Sequence, residues 1–338
     1  MARVHHAGYR VGAGELPAEI LTGLPSAIAR AAETLAPYVR CTPLLLSESL
    51  SDAGMAVWLK LESLQFTGSF KLRGALNALL TLPESERQMG VVAASSGNHG
   101  IAVARAGALL GVPVRVYVPR GVSSVKLQAM RDHGAEVVEY GSDGLEAELA
   151  ARAEASRRGS KYVSPYNDVA VVAGQGTVGS EICRQVSDLD AVVVAVGGGG
   201  LVSGVAAALR ERWPAIHVVG AVPANSPVMA ASVRAGRVVE MHSLPTLSDA
   251  TAGGIEPGAI TFSLCRQLVD TWIEVPEHEI AAGMRHLLLR ERIVGEGAAG
   301  VAVAALWRAA NELRGGRVAI VVCGGNVTAE VLHHVLVE

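Results

Sequence analysis

"AVVVAVGGGGLVSGVAAALRERW", residues 191–213, decides the fold class. It opens with six small or β-branched apolar residues, passes through four glycines, and continues as an alanine- and leucine-rich run. The first part reads as a strand without polar alternation, which is the pattern of a strand buried on both faces of its sheet. The last part reads as a helix that covers such a sheet. The same rhythm recurs in both directions along the chain. "VVAAS" (91–95) leads through "SGNHG" into "IAVARAGALLG". "VRVYVP" (114–119) leads into "VSSVKLQAMRDHG", and "EVVEYG" (136–141) into "LEAELAARAEASRRG". "AVWLKLE" (56–62), "HVVGAV" (217–222) and "VAIVVCGGN" (318–326) complete the visible strands. Strands alternating with helices predict an α/β protein built on parallel sheets.

At roughly 100–200 residues per domain, 338 residues suggest two domains. The compact strand–helix units of residues 81–162 read as a small domain inserted into a larger one made of 25–80 and 163–338. Residues 1–24 carry little periodicity and read as a loosely held N-terminal extension. "PSAIARAAETLAPYV" (25–39) predicts a helix with Pro25 in its first turn.

Half of the residues are hydrophobic, and 29 basic residues face 32 acidic ones for a net charge of −3. With no long basic run, nucleic acid is not the expected partner. Cys41, Cys183, Cys265 and Cys323 lie far apart without a CxxC pair, which fits a reducing compartment. There is no signal-peptide core and no run of about 18 apolar residues that would span a membrane. The cytoplasm is the expected setting.

The 38 glycines cluster where strands hand over to helices. Such junctions offer free backbone N–H groups and the positive end of a helix dipole. In "VGGGGLVSG" (196–204) the backbone can wrap an anion without Cβ obstruction. A tight packing turn is the alternative, and the helix-end argument favours phosphate. No GKS or GKT accompanies the loop, against a nucleoside-triphosphate site. "GQGTVG" (174–179) fits the dinucleotide glycine fingerprint. The acid expected about 20 residues on is missing, and nicotinamide and flavin are set aside. "SSGNHG" (95–100) suits either a carboxylate site or an ordinary polar helix cap.

In "LQFTGSFKLRGALNAL" (64–79), Ser69 is the expected N-cap and Lys71 falls in the first turn of a helix. The dipole disfavours an ammonium there, and burial would depress its pKa further. A neutral amine can attack an aldehyde; a solvated surface lysine is the bland alternative. The ten histidines show no HExxH and the cysteines no zinc spacing, so no metal is expected. No G-x-S-x-G elbow is present.

Taken in order, "KLESLQFTGSFKLRGA", "SSGNHG", "GQGTVGSEI", "GGGGLVSG", "EGAAGVAVAAL" and "CGGN" resemble the pyridoxal-phosphate-dependent serine/threonine dehydratase family. That family has the tryptophan-synthase-β-like fold (fold type II) and includes serine racemases. The resemblance runs from about residue 25 to the C-terminus. It implies pyridoxal 5'-phosphate as cofactor, two parallel-sheet domains and a homodimer. By position, Lys71 matches the lysine that holds the cofactor aldehyde, and Phe70 the aromatic residue beside its ring. Asn98 matches the partner of the phenolic oxygen. Gly197, Gly198, Gly199, Gly200 and Leu201 match the phosphate cradle. Cys323 matches the residue facing the pyridine nitrogen, and Glu296 an acidic residue near that ring. Ser95, Ser96, Asn98 and His99 match the substrate-binding loop.

The activity so implied is β-elimination on a β-hydroxy amino acid such as threonine or serine, giving a 2-oxo acid and ammonia, with Lys71 and Ser96 as the catalytic candidates. A racemase using Lys71 and Ser96 is the alternative. A synthase that traps the enamine and a non-catalytic binding relative are further rivals. Three features depart from the family pattern. Val222 and Val228 stand where many relatives place cation ligands, so a hard-cation site would lack its carboxylates. The chain ends soon after "CGGN", without the regulatory domain of biosynthetic threonine deaminases, so control by isoleucine is not expected. "LSDATAGGIEPGAITF" (247–262) differs from the usual threonine dehydratase version and resembles dehydratases of hydroxyectoine breakdown.

Overall fold

A computed structural model describes residues 18–52 and 54–337. Among the described residues, ten strands form two sheets. The larger contains β1 (Leu44–Asp52), β2 (Met55–Leu61), β7 (Ala191–Ala195), β8 (His217–Pro223), β9 (Thr271–Val275) and β10 (Arg317–Val322), in the order β1-β2-β10-β7-β8-β9. All its pairings are parallel except that of β1 with β2. The smaller contains β3 (Val91–Ala94), β4 (Val114–Val118), β5 (Glu136–Glu139) and β6 (Lys161–Tyr162), in the order β5-β4-β3-β6, and is parallel throughout.

The unalternating pattern of residues 191–195 has its expected cause. β7 lies between β10 and β8, and Val192, Val193 and Val194 are fully buried. Helices cover both sheets. Val169–Gln185 and Gly200–Arg212 form the most extensive helix pair. "GQGTVG" lies inside the first of these helices. A Cβ on Gly174 would sit 2.6 Å from the Arg73 carbonyl, and one on Gly176 2.6 Å from Ile28. That fingerprint is therefore a helix-packing surface and not a nucleotide loop. Among the described residues, no helix is long and apolar enough to cross a membrane.

Two local expectations are corrected. The first helix runs Ala18–Leu35, with Pro25 inside it instead of in its first turn. Residues 18–24 are thus helical and not a loose extension, while residues 1–17 lie outside the described residues. Leu24, Ile28, Ala31 and Leu35 recur at helical spacing and are buried, and this stripe sustains the helix across the proline. Likewise, Ser69 is not the cap of the helix Lys71–Leu80; Phe70 occupies that position. Ser69 is instead drawn into a bridge with Gly324, fully buried.

Candidate active site

The loops at the carboxyl ends of β2, β3, β7 and β10 converge on a cavity of about 510 Å³. That end is where parallel α/β sheets hold ligands. Phe70, Lys71, Ser95, Ser96, Asn98, His99, Gly197, Gly198, Gly199, Gly200, Leu201, Glu296 and Cys323 all line it. Segments more than 200 residues apart in sequence thus share one chamber.

Lys71 is the first residue of its helix, and its Nζ donates to the Pro165 carbonyl at 3.0 Å. Burial pulls its pKa down to about 8, against the opposing pull of Cys323 and Glu296. A buried ionic cluster holds the helix in place. Arg73 Nε and Nη2 reach Glu62 at 2.7 and 2.8 Å, and Nη1 and Nη2 reach Glu181 at 2.7 and 3.0 Å. Lys60 Nζ adds a contact to Glu181 at 2.6 Å. Two cations and two carboxylates balance, and this fork-on-fork pairing suits a guanidinium.

The loop before Lys71 is zipped to the segment after β10. Phe70 N–H donates to the Cys323 carbonyl at 3.1 Å, and Gly325 N–H to the Gly68 carbonyl at 2.9 Å. Gly68 has a φ of +70°, and a Cβ there would meet Asn326 Oδ1. Only glycine fits both demands. This pairing brings the Cys323 thiol close to Lys71. Burial, reinforced by Glu296, pushes the thiol pKa well up, so Cys323 presents a neutral group.

Gly200 opens the helix Gly200–Arg212, with Gly199 as its cap at φ +85°. Ser203, the fourth residue, donates to the Gly199 carbonyl at 3.1 Å. The amides of Gly200, Leu201 and Val202 are the helix donors left over, at the positive end of its dipole. A Cβ at Gly199 would also lie 2.6 Å from the Cys265 sulfur. The helix Asn98–Leu110 starts in the same cavity, and Ile101 is its first residue to bond back, to Gly97. A second set of free amides therefore lies beside Ser95 and Ser96.

His99 is buried, with Nε2 2.9 Å from the Val163 carbonyl. A carbonyl only accepts, so Nε2 carries the proton and Nδ1 is bare. Burial, with Lys71 nearby, drives the ring pKa down to about 3. The His99 side chain is thus a neutral acceptor, and only its amide can donate to a carboxylate. Asn98 Nδ2 donates to both Glu296 oxygens at 2.9 and 3.0 Å. Burial, with Asp249 nearby, lifts the Glu296 pKa to about 7.

This donor set fits pyridoxal phosphate. It comprises an amine of lowered pKa for the aldehyde, free helix-end amides for the phosphate, and a neutral thiol for the ring nitrogen. A model of the family described as "Pyridoxal-phosphate dependent enzyme" matches residues 35–324. The chain belongs to that family. It is a pyridoxal-phosphate-dependent enzyme of the tryptophan-synthase-β-like fold. It is 42% identical over 310 residues to an L-threonine ammonia-lyase of Thermotoga maritima, covering 91% of this chain and 77% of that one. Threonine deaminase isoform 2 of Solanum lycopersicum, in its processed form, superposes with a TM-score of 0.89 at 31% identity, covering 97% and 98% of the two chains. A serine racemase of Dictyostelium discoideum gives 0.84 at 33%, covering 90% and 98%.

Several lining residues of this family member carried no assignment from the sequence. Pro165 and Tyr166, in "SPYND", follow β6, a strand of two residues too short to show a pattern. Tyr166 packs against the glycine loop, where a Cβ on Gly198 would strike its ring. Asn326 closes the "CGGN" motif, and its position directly after two glycines was the available signal. Val222 and Val228 are both buried. Among the described residues, no group of three His, Cys, Asp or Glu could hold a metal ion.

Proposed function

We propose that this enzyme eliminates the β-substituent of a β-hydroxy amino acid, threonine or serine, releasing a 2-oxo acid and ammonia. The observation that carries the reading is Lys71, an amine of depressed pKa in a cavity with two sets of free helix-end amides. The likeness to threonine ammonia-lyases over nine-tenths of the chain supports the same reaction.

Bound pyridoxal phosphate supplies an electron sink for charge that develops at the substrate α-carbon. The amides of Gly200, Leu201 and Val202 would hold its phosphate. Phe70, Asn98 and Glu296 would line the space for its ring, and the neutral Cys323 thiol would meet its nitrogen. The substrate carboxylate is held by the Ser95 and Ser96 hydroxyls and the amides that begin the Asn98 helix. Lys71 Nζ, uncharged, accepts the α-proton. The β-hydroxyl leaves as water with the proton that Lys71 Nζ took from the α-carbon, and the released enamine tautomerises to an imine that water hydrolyses to the 2-oxo acid and ammonia.

Racemisation is the second reading, favoured by Ser96 lining the same cavity as Lys71, where a hydroxyl could return a proton from the opposite face. The reading extends to the whole chain. Residues 81–162, which supply all four strands of the smaller sheet, are the inserted small domain. The protein is a homodimer in the cytoplasm. Edge strand β1 carries exposed Leu45 and Leu46, an open strand edge available to a second copy, and all four cysteines are free.

The test is incubation of L-threonine and L-serine, each with coupled detection of ammonia and 2-oxo acid and chiral chromatography of the remaining amino acid. Equimolar ammonia and oxo acid with no D-isomer is expected. D-serine without oxo acid would overturn the elimination in favour of racemisation.

A further inference from the structure

Asn326 stands at the junction of three segments. Its Nδ2 donates to the Thr67 carbonyl at 2.8 Å, in the loop that delivers Lys71, and to Asn98 Oδ1 at 2.7 Å. Both protons of that nitrogen are thereby used. With Oδ1 occupied as an acceptor, Asn98 must turn Nδ2 the other way, and it does so toward Glu296 at 2.9 and 3.0 Å. The Asn326 backbone amide also donates to Glu296. The result is a chain of hydrogen bonds with one sense. It starts from two acceptors that Asn326 satisfies, passes through Asn98, and ends on a buried carboxyl. Asn98 alone has no preferred face, because its oxygen and nitrogen ends are nearly isosteric.

We infer that Asn326 is a positioning residue whose side-chain amide fixes the orientation of the Asn98 amide, so that its N–H₂ end and not its oxygen faces the cofactor side of the cavity. The inference rests on the reading of Asn98 as a cofactor-side residue. Reversing the donor at position 326 reverses the whole chain. In Asn326→Asp a carboxylate faces Thr67 O and Asn98 Oδ1, and the Asn98 amide turns over to donate to it. Asn98 Oδ1 then confronts Glu296, acceptor against acceptor. Glu296→Gln relieves that conflict because a glutamine can turn its own N–H₂ toward Asn98. Asn326 is open to solvent at the cavity mouth, so its substitution does not disturb the core.

The experiment is a double-mutant cycle at about pH 8.5, above the Glu296 pKa of about 7 so that its carboxylate only accepts, read by titrating cofactor-free protein with pyridoxal phosphate and measuring its dissociation constant spectroscopically. Circular dichroism and the thermal midpoint of each cofactor-free variant report folding. Asn326→Asp is expected to weaken cofactor binding about tenfold, the scale of one hydrogen bond to a charged group, but only about twofold when Glu296→Gln is present. Asn326→Leu, which removes the donor without reversing it, is expected to cost less than Asn326→Asp. Repeating the cycle with Asn98→Ala should abolish the coupling. Equal losses with and without Glu296→Gln would overturn the inference. So would coupling that survives Asn98→Ala, since it would mean direct repulsion between residues 326 and 296. Failure of the unmodified protein to bind the cofactor would remove the cofactor-side reading itself, whereas normal binding with a flat cycle removes only the role of Asn326.

Discussion

Arg73→Met removes the centre of the ionic cluster that seats Lys71. The Arg73 side chain has no exposure, and it meets Glu62 and Glu181 with four contacts of 2.7 to 3.0 Å. It also donates to Thr177 Oγ1 at 3.2 Å and to the Arg40 carbonyl at 3.2 Å. Without it, Glu62 keeps only the Thr42 hydroxyl at 2.6 Å, and Glu181 keeps Lys60 and the Thr42 amide. Two carboxylates then share one cation in a buried site. Removing one partner of such a cluster costs about 3–5 kcal/mol. At about 2.1 cal/mol/K per residue, a chain of this length unfolds with an entropy of about 0.7 kcal/mol/K, so the midpoint should fall by about 4–7 °C. The assay is differential scanning calorimetry of cofactor-free protein near pH 7. Adding Glu62→Gln restores charge balance between Lys60 and Glu181, and the double variant should recover part of the loss. A drop under about 1 °C in Arg73→Met, below the scale set by a broken buried pair, would mean that the cluster does not hold the helix. So would a double variant less stable than the single one.

Three further outcomes follow from the titratable groups. Lys71 must be uncharged to attack the cofactor aldehyde, so the rate of pyridoxal phosphate uptake should rise with pH and level off above about 8; a rise centred near 10.5 would contradict its buried setting. Glu296 has a raised folded pKa of about 7 against the usual 4.5. The neutral form is therefore favoured by folding, and its contribution is present below pH 4.5 and lost as pH rises through 7. The thermal midpoint of cofactor-free protein should fall less between pH 5 and pH 8 in Glu296→Gln than in the unmodified protein, and equal falls would refute this. Cys323→Ser keeps a neutral hydrogen-bonding group and should retain most elimination activity, whereas Cys323→Asp adds a carboxylate beside Glu296 and should lose about tenfold or more; equal activity of the two folded variants would deny the thiol a place at the ring.

The parts of the fold that could be read from sequence are those with undiluted patterns. β7 and its glycine loop announced themselves because a strand buried on both faces has no polar interruption. β1, β6 and β9 were not legible for physical reasons. β1 is an edge strand with Ser47, Glu48, Ser49 and Ser51 among its nine residues, β6 has two residues, and four of the five residues of β9 are only half-buried. At the site, the residues carried by glycine loops and by the Lys71 motif converge on one cavity. Ser69 fits the capping rule for a serine before a helix, and nothing local shows that Gly324 pairs with it. Pro165, Tyr166 and Asn326 depend on tertiary contact in the same way. The clamp on Lys71 was also invisible, because Glu62, Arg73 and Glu181 look like surface charges until the helices pack.

The most direct measurement is 2-oxo acid release from L-threonine and L-serine by the pyridoxal-phosphate-loaded enzyme beside its Lys71→Ala variant, each checked for folding by circular dichroism. Turnover by the unmodified enzyme and none detectable by Lys71→Ala is expected. Near-normal oxo-acid release by folded Lys71→Ala would contradict it.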